Sequence, residues 1–316
     1  MKKVSILLHC YNEETNVGPI SEAIVNQMSE LPQYQFEIVF IDNDSKDRTR
    51  EIIRDLCAKD ERIKAIFNAK NYGQLASPYY GMMQCTGDCT ITMACDFQDP
   101  VELIPKYLEE WENGYKIVLC QKTSTTERGF MRAARNYYYK FMQKHSSIDF
   151  YPQVTGAGLY DRSFIDILRD MGETRPFIRG IVAELGYSVK LIPFTQPKRR
   201  GGKSSNNLST YLDLASQSIT AYTKFGCRLA LYGGFFLFIL SLITTGVLTV
   251  LELFNGGPDY NFSMVGFAVL AVLISLNMFF IGVVGEYVMD VNLRVRKRPL
   301  VIEAERINFD KGSNNN

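Results

Sequence analysis

Two long uncharged apolar stretches, Leu229 to Leu251 with 23 residues and Tyr260 to Gly285 with 26, constrain what this chain can fold into. As a helix each can cross a hydrocarbon core of about 30 Å. Burying both in a soluble domain would need further sequence to surround them, and none is left over. Two transmembrane helices are therefore expected, at 229–251 and 260–285. The residues between them carry Glu252 and Asp259 but no Lys or Arg. Lys198, Arg199, Arg200, Lys203, Lys224 and Arg228 precede the first stretch, and Arg294, Arg296, Lys297 and Arg298 follow the second. The positive-inside rule then puts both termini on the cytoplasmic side of the cytoplasmic membrane. Leu208, Tyr211, Leu212, Ala215, Ile219 and Tyr222 recur at helical spacing within 205–228, which fits either a helix lying on the bilayer surface or one packed on the preceding domain. Residues 286–316 read as a cytoplasmic tail.

Residues 1–204 have the mixed character of a soluble domain large enough to bury a core. The whole chain of 316 residues carries 35 Lys plus Arg against 34 Asp plus Glu, a net charge of +1, so general attraction to nucleic acid is not expected. Its seven cysteines are scattered and lie mostly in apolar runs, which suits reduced core thiols. Cys85 and Cys89 lack the second ligand pair that a structural zinc site needs, and the chain has only two histidines. The apolar run Val4 to Leu8 is short and no small-residue cleavage site follows, so the first residues read as a strand and not a signal peptide.

Short β-branched runs alternate with amphipathic stretches. Val4 to Cys10, Phe36 to Ile41, Ile63 to Phe67, Cys89 to Cys95 and Ile117 to Cys120 read as strands, and the intervening segments as helices. That rhythm implies an α/β domain with a largely parallel sheet, whose ligand site lies beyond the carboxyl ends of the strands. Three of those ends are acidic or amide-rich: Tyr11-Asn12-Glu13-Glu14, Asp42-Asn43-Asp44-Ser45-Lys46-Asp47 and Asp96-Phe97-Gln98-Asp99-Pro100. Asp96, Gln98 and Asp99 offer hard oxygen donors of the kind that Mg²⁺ shares with a nucleotide diphosphate. Taken alone the same residues also read as a turn and helix start.

Together these strand ends resemble the family 2 glycosyltransferases of the GT-A fold, in particular the polyprenyl-phosphate branch that includes dolichyl-phosphate mannose synthase and bactoprenol glucosyltransferases. The family's P-x-Y-N-E is matched by Tyr11, Asn12 and Glu13, with His9 where Pro is usual. V-D-D-G-S-x-D is matched by Ile41 to Asp47, and N-x-G-x-x-x-A by Asn71 and Gly73. D-A-D-L-Q-D-P is matched by Ala94 to Pro100, with Ala94 in place of the first aspartate. R-x-x-G-x-S-K resembles Arg199 to Ser205, which alone would read as a juxtamembrane basic cluster.

The resemblance implies a membrane-bound, inverting, metal-assisted transfer of a sugar from a nucleotide-diphosphate donor, with UDP favoured, to undecaprenyl phosphate. It assigns the divalent ion, Mg²⁺ or Mn²⁺, to Asp96 and Gln98. The donor falls to Tyr11, Asn12, Glu13, Asp42, Asp44, Asn71, Gly73, Arg199, Gly202, Lys203 and Ser204, and the lipid phosphate to Arg128, Arg132 and Arg135. Gly156 stands where the family carries an acceptor-site aspartate. Asp161 is the nearest carboxylate and becomes the candidate, with capping of the helix near Ser163 as its alternative role. Two other readings remain open: a catalytically weak nucleotide-sugar binder, or a synthase with another acceptor. A processive synthase would carry Q-x-x-R-W, and the single tryptophan, Trp111, has no such context. Glycines in both apolar stretches would permit close helix contact and hence a homo-oligomer.

Overall fold

Alternating apolar runs in the first part of the chain fold into strands separated by helices. A computed structural model describes residues 1–124, 129–146, 148–197, 215–216, 218–219, 221–223, 225–255, 262–295 and 298–309. It divides into two units, one of residues 1–139, 148–208 and 296–316 and the other of 140–147 and 209–295.

The first unit is built on an eight-stranded sheet. Its strands are β1 (Lys2–Cys10), β2 (Tyr34–Asp42), β3 (Ile63–Asn68), β4 (Cys89–Ala94), β5 (Ile117–Ser124), β6 (Val154–Asp161), β7 (Val189–Thr195) and β8 (Glu303–Ile307), in the order β7-β5-β6-β4-β1-β2-β3-β8. The run β3-β2-β1-β4 is parallel throughout, so the winding direction reverses between β1 and β4. In doubly wound sheets that reversal opens a crevice at the carboxyl ends of the two strands. β6 runs antiparallel to both β4 and β5, which makes the sheet mixed.

The near-continuous apolar character of β1 and β2 follows from burial on both faces. On one face lie α1 (Val17–Ser29), α2 (Thr49–Lys59) and α4 (Ile104–Glu112), packed through Ile20, Ile24, Ile53, Tyr107 and Leu108 against Ile6, Leu8 and Phe40. On the other lie α3 (Gly73–Gln84), α6 (Arg162–Met171) and α7 (Ile178–Leu185), packed through Tyr79, Met82, Phe164 and Ile181 against Leu7, Val39 and Ile41. The helix α5 (Gly129–His145) follows β5. The cysteines at 10, 57, 85, 89, 95 and 120 are buried and unpaired, as the scattered spacing implied.

The segment after residue 285 departs from the expected tail. Glu303 to Ile307 pairs antiparallel with β3 as an edge strand. Arg54 meets Glu305 at 2.6 Å, the Tyr80 hydroxyl donates to Glu303 at 2.8 Å, and the Asn308 amide donates to the Cys57 and Ile63 carbonyls, both at 2.8 Å. Alternating charged residues in Glu-Ala-Glu-Arg-Ile hide this strand from an apolar-run reading, yet they suit an edge.

The second unit holds two long helices, α8 (Phe225–Asn255) and α9 (Phe262–Val295). Gly226 faces Val283 and Tyr287, while Gly233 faces Phe280 with only 2.9 Å between an added Cβ and the ring. Contacts that climb one helix while descending the other make the pair antiparallel. Among the described residues one segment, Val272–Met289 with mean hydropathy 1.8, is long and apolar enough to cross a membrane. Most of 205–228 lies outside the described residues.

Candidate active site

The carboxyl ends of β1, β2, β3 and β4 each run into a turn containing one left-handed residue: Asn12 (φ 56°), Asp44 (φ 68°), Gly73 (φ 84°) and Phe97 (φ 60°). Non-glycine residues rarely adopt this conformation, and each instance costs of order 1–3 kcal/mol unless its surroundings fix it. Three non-glycine cases on neighbouring strand ends mark this edge as a built site.

Hydrogen bonds hold the first two turns together. The Asn12 N–H donates to Ser45 Oγ and its own Oδ1 accepts from the Lys46 N–H, both at 2.8 Å. The Glu13 N–H donates to Thr49 Oγ1 at 2.8 Å, while the Glu13 carboxylate accepts from the Asn16 amide at 2.7 Å. Asn12 and Glu13 thus shape the wall of the crevice, and Tyr11 remains 36% exposed beside them. Asn43, Asn71, Asn68 and Ser77 join the ends of β2 and β3 to the start of α3. Asn71 Oδ1 accepts from the Asn43 amide and the Gly73 N–H, both at 2.8 Å, so its side chain organises the loop.

Asp42 is fully buried. Its Oδ2 accepts from Arg50 Nε at 2.5 Å and from the Ser45 N–H at 3.1 Å, whereas Oδ1 has no partner among the described residues. Leaving a buried carboxylate oxygen unpaired costs about 1–3 kcal/mol, which a ligand N–H would recover. Arg50 was missed by sequence reasoning. Its signal is a cation in the first turn of the helix after an acidic strand end, and it also donates to the Asn68 carbonyl at 2.6 Å. Asp44 lies 2.7 Å from Lys46 and 3.5 Å from Arg50.

At the end of β4 the chain turns tightly. Asp96 Oδ1 accepts from the Gln98 N–H at 3.1 Å, and Asp99 Oδ2 accepts from the Ala94 N–H at 3.0 Å. Asp99 therefore folds back to brace the turn. Burial pushes its carboxyl up to about 6, against the Ala94 hydrogen bond and helped by Asp96. Asp96 is buried and Gln98 half-buried. No group of three His, Cys, Asp or Glu side chains gathers among the described residues, so an all-protein cage is not formed. One carboxylate and one amide oxygen, with coordination left for phosphate and water, do fit Mg²⁺ or Mn²⁺.

His9, the penultimate residue of β1, is in direct register with Ala94, the last residue of β4. Its Nδ1 is buried with no hydrogen-bond partner among the described residues. Burial lowers its imidazole below the usual range, and the nearby Asp96 carboxylate partly opposes that.

Asp161 does not belong to this edge. It pairs with Cys89, the first residue of β4, which puts it at the amino end of the parallel strands. At roughly 3.3 Å per residue, the carboxyl end of β4, from which the turn to Asp96 starts, lies about 16 Å away. Its Oδ1 caps α6, accepting from the Ser163 N–H at 3.0 Å, and its Oδ2 accepts from Trp111 Nε1 at 2.8 Å. The acceptor-site expectation for Asp161 is corrected to a capping role. Gly156 has φ 90°, a backbone that an aspartate would adopt only under strain. Arg128, Arg199, Gly202, Lys203 and Ser204 lie outside the described residues; Arg132 and Arg135 fall on α5, with their side chains outside them.

Comparison with known proteins identifies the family. The family described as Glycosyl transferase family 2 matches residues 5–169. A bactoprenol glucosyl transferase of Shigella phage SfX is 28% identical over 298 residues, covering 94% of this chain and 97% of that protein. A prophage bactoprenol glucosyl transferase homolog of Escherichia coli is 28% identical over 303 residues, covering 95% and 98%. Among solved structures, S. aureus TarS 1-349 in complex with UDP-GlcNAc has 16% identity and a TM-score of 0.43, covering 69% of this chain and 66% of that one.

Proposed function

Because this chain belongs to glycosyl transferase family 2 and is a glycosyltransferase, we propose that it moves a sugar from a UDP-sugar to a polyprenyl phosphate, with undecaprenyl phosphate as the acceptor. The observation that carries the donor assignment is the buried, unpartnered Oδ1 of Asp42 at the carboxyl edge of the sheet. The acceptor assignment is supported by the full-length likeness to proteins named bactoprenol glucosyl transferase.

In this reading Asp42 Oδ1 accepts the uracil ring N–H, while Arg50 fixes the carboxylate through Oδ2. Tyr11 flanks the ribose, and the Asn12, Glu13, Asp44, Asn71 and Gly73 turns shape the pocket. Arg199, Gly202, Lys203 and Ser204 close over the diphosphate, where guanidinium and ammonium groups neutralise charge. Asp96 and Gln98 hold Mg²⁺ or Mn²⁺, which when bound supplies positive charge against the leaving diphosphate. Arg128, Arg132 and Arg135 meet the lipid phosphate. That acceptor is already an anion at neutral pH, so its oxygen needs positioning more than deprotonation. A glycine at 156 is then compatible with catalysis.

The helices α8 and α9 are proposed to cross the cytoplasmic membrane as two spans. β8, which follows the two helices in the chain, pairs with β3, which precedes them, in one sheet, and this favours an even number of crossings. The exposed apolar side chains of both helices, Phe235, Phe236, Ile243, Met278 and Ile281 among them, suit lipid contact. Gly234, Gly266, Gly282 and Gly285, where an added Cβ would meet nothing within 4 Å, leave room for a homo-oligomer.

The test is to incubate the purified full chain with undecaprenyl phosphate and a panel of labelled nucleotide sugars, with and without Mg²⁺ or Mn²⁺. Label in organic-extractable lipid, dependent on UDP-sugar and divalent ion, is the expected result. UDP binding without lipid labelling by any donor would instead support the catalytically weak binder, the reading that Ala94 and Gly156 favour.

A further inference from the structure

The two departures from the family pattern on strands β1 and β4, His9 for Pro and Ala94 for Asp, are direct neighbours in the β1–β4 ladder. In a parallel pair, residues in register project to the same face. They also flank the point where the winding reverses, the crevice in which ligands of such sheets bind. An alanine there removes an oxygen donor, and a histidine one strand away adds a nitrogen donor beside Asp96. His9 Nδ1 is buried and finds no hydrogen-bond partner among the described residues, an arrangement that costs free energy unless something else occupies the nitrogen.

We propose that His9 takes the place of the missing aspartate as a ligand to the divalent ion, so that the cation is held by one imidazole nitrogen, the Asp96 carboxylate and the Gln98 amide oxygen, with diphosphate oxygens completing its shell. This rests on the reading that the site binds a metal–nucleotide complex. Its consequence is a changed metal preference. Mg²⁺ takes oxygen ligands almost exclusively, whereas an imidazole raises affinity for first-row transition ions. The protein should therefore favour Mn²⁺ and Co²⁺ over Mg²⁺ more strongly than a relative with aspartate at the Ala94 position.

The direct test is pulsed electron paramagnetic resonance on the full chain in detergent, loaded with Mn²⁺ and UDP. The chain has two histidines, His9 and His145, so the source of any imidazole ¹⁴N coupling can be assigned. The expected spectrum contains both ³¹P coupling from UDP and imidazole ¹⁴N coupling. The nitrogen signal is lost in His9→Ala and kept in His145→Ala. Mn²⁺ affinity falls about tenfold or more in His9→Ala, in the range set by losing groups that support a metal. The double variant His9→Pro/Ala94→Asp should bind the ion without nitrogen coupling and shift its preference toward Mg²⁺ by about tenfold. Bound Mn²⁺ with ³¹P but no ¹⁴N coupling in the unmodified chain would overturn the role of His9 and leave the metal–nucleotide reading standing. Absence of any bound Mn²⁺ in the presence of UDP would overturn both. The wild-type spectrum decides these outcomes even if a variant fails to fold.

Discussion

The two ends of one sheet treat their carboxylates in opposite ways. Toward the amino end, Glu37 is 2% exposed and saturated: Ser5 Oγ donates at 2.5 Å, the Thr86 N–H at 2.8 Å, and Lys3 and Lys64 lie at 2.8 and 2.9 Å. Asp161, at the same end, is held by Ser163, Trp111 and Lys116. At the carboxyl end Asp42 is just as buried, yet one of its oxygens has no partner, and left-handed turns surround it. Burial and charge alone do not separate the two ends. What separates them is saturation: a carboxylate whose lone pairs are all used stabilises the fold, and one left incomplete is shaped for a ligand.

The largest effect should appear at Asp96. Asp96→Ala is expected to lower sugar transfer by about 10²–10³-fold, the scale of removing a group that stabilises developing charge, with little change in melting temperature. A loss of thermal stability matching the loss of activity would make Asp96 a structural carboxylate like Glu37.

Glu37 should give the opposite signature. Burial alone would raise its carboxyl, but the bonds from Lys3, Ser5, Lys64 and Thr86 outweigh that and hold it at about 2, against an ordinary 4.5. The folded carboxyl is depressed, so its stabilisation is complete above about pH 4.5 and disappears as pH falls toward 2; the amount is on the order of 3 kcal/mol. Melting temperature followed across that window should drop steeply in the wild type and much less steeply in Glu37→Gln.

Asp161→Ala should cost about 1–2 kcal/mol through the lost cap, read as a lower melting temperature, while transfer per folded molecule stays unchanged. The smallest effect belongs to the edge strand. Arg54 and Glu305 are both partly exposed, so Arg54→Ala should cost only about 0.2–1 kcal/mol. A larger loss would mean that β8 depends on this pair more than on its ladder and on Asn308.

Much of the carboxyl edge was legible in the sequence. The first five strands were visible because β-branched runs buried on both faces leave an unbroken apolar signature, and the ligand edge followed from their parallel order. β6 was not, since Gly156 and Gly158 interrupt its pattern; β8 was not, since an edge strand carries charge. Asp161 was misread because proximity along the chain says nothing about which end of a strand a residue occupies. The relation of His9 to Ala94 needs the ladder register, and Arg50 needs the turn that brings α2 over Asp42.

The most direct measurement is the dissociation constant of UDP, with Mn²⁺ present, for the wild type, Asp42→Asn and Asp161→Asn. The expected result is a loss of about 10–100-fold for Asp42→Asn, the scale of a buried charged hydrogen bond, and no change for Asp161→Asn. Equal affinity in Asp42→Asn, or weakening confined to Asp161→Asn, would contradict the assignment of the donor site to the carboxyl edge.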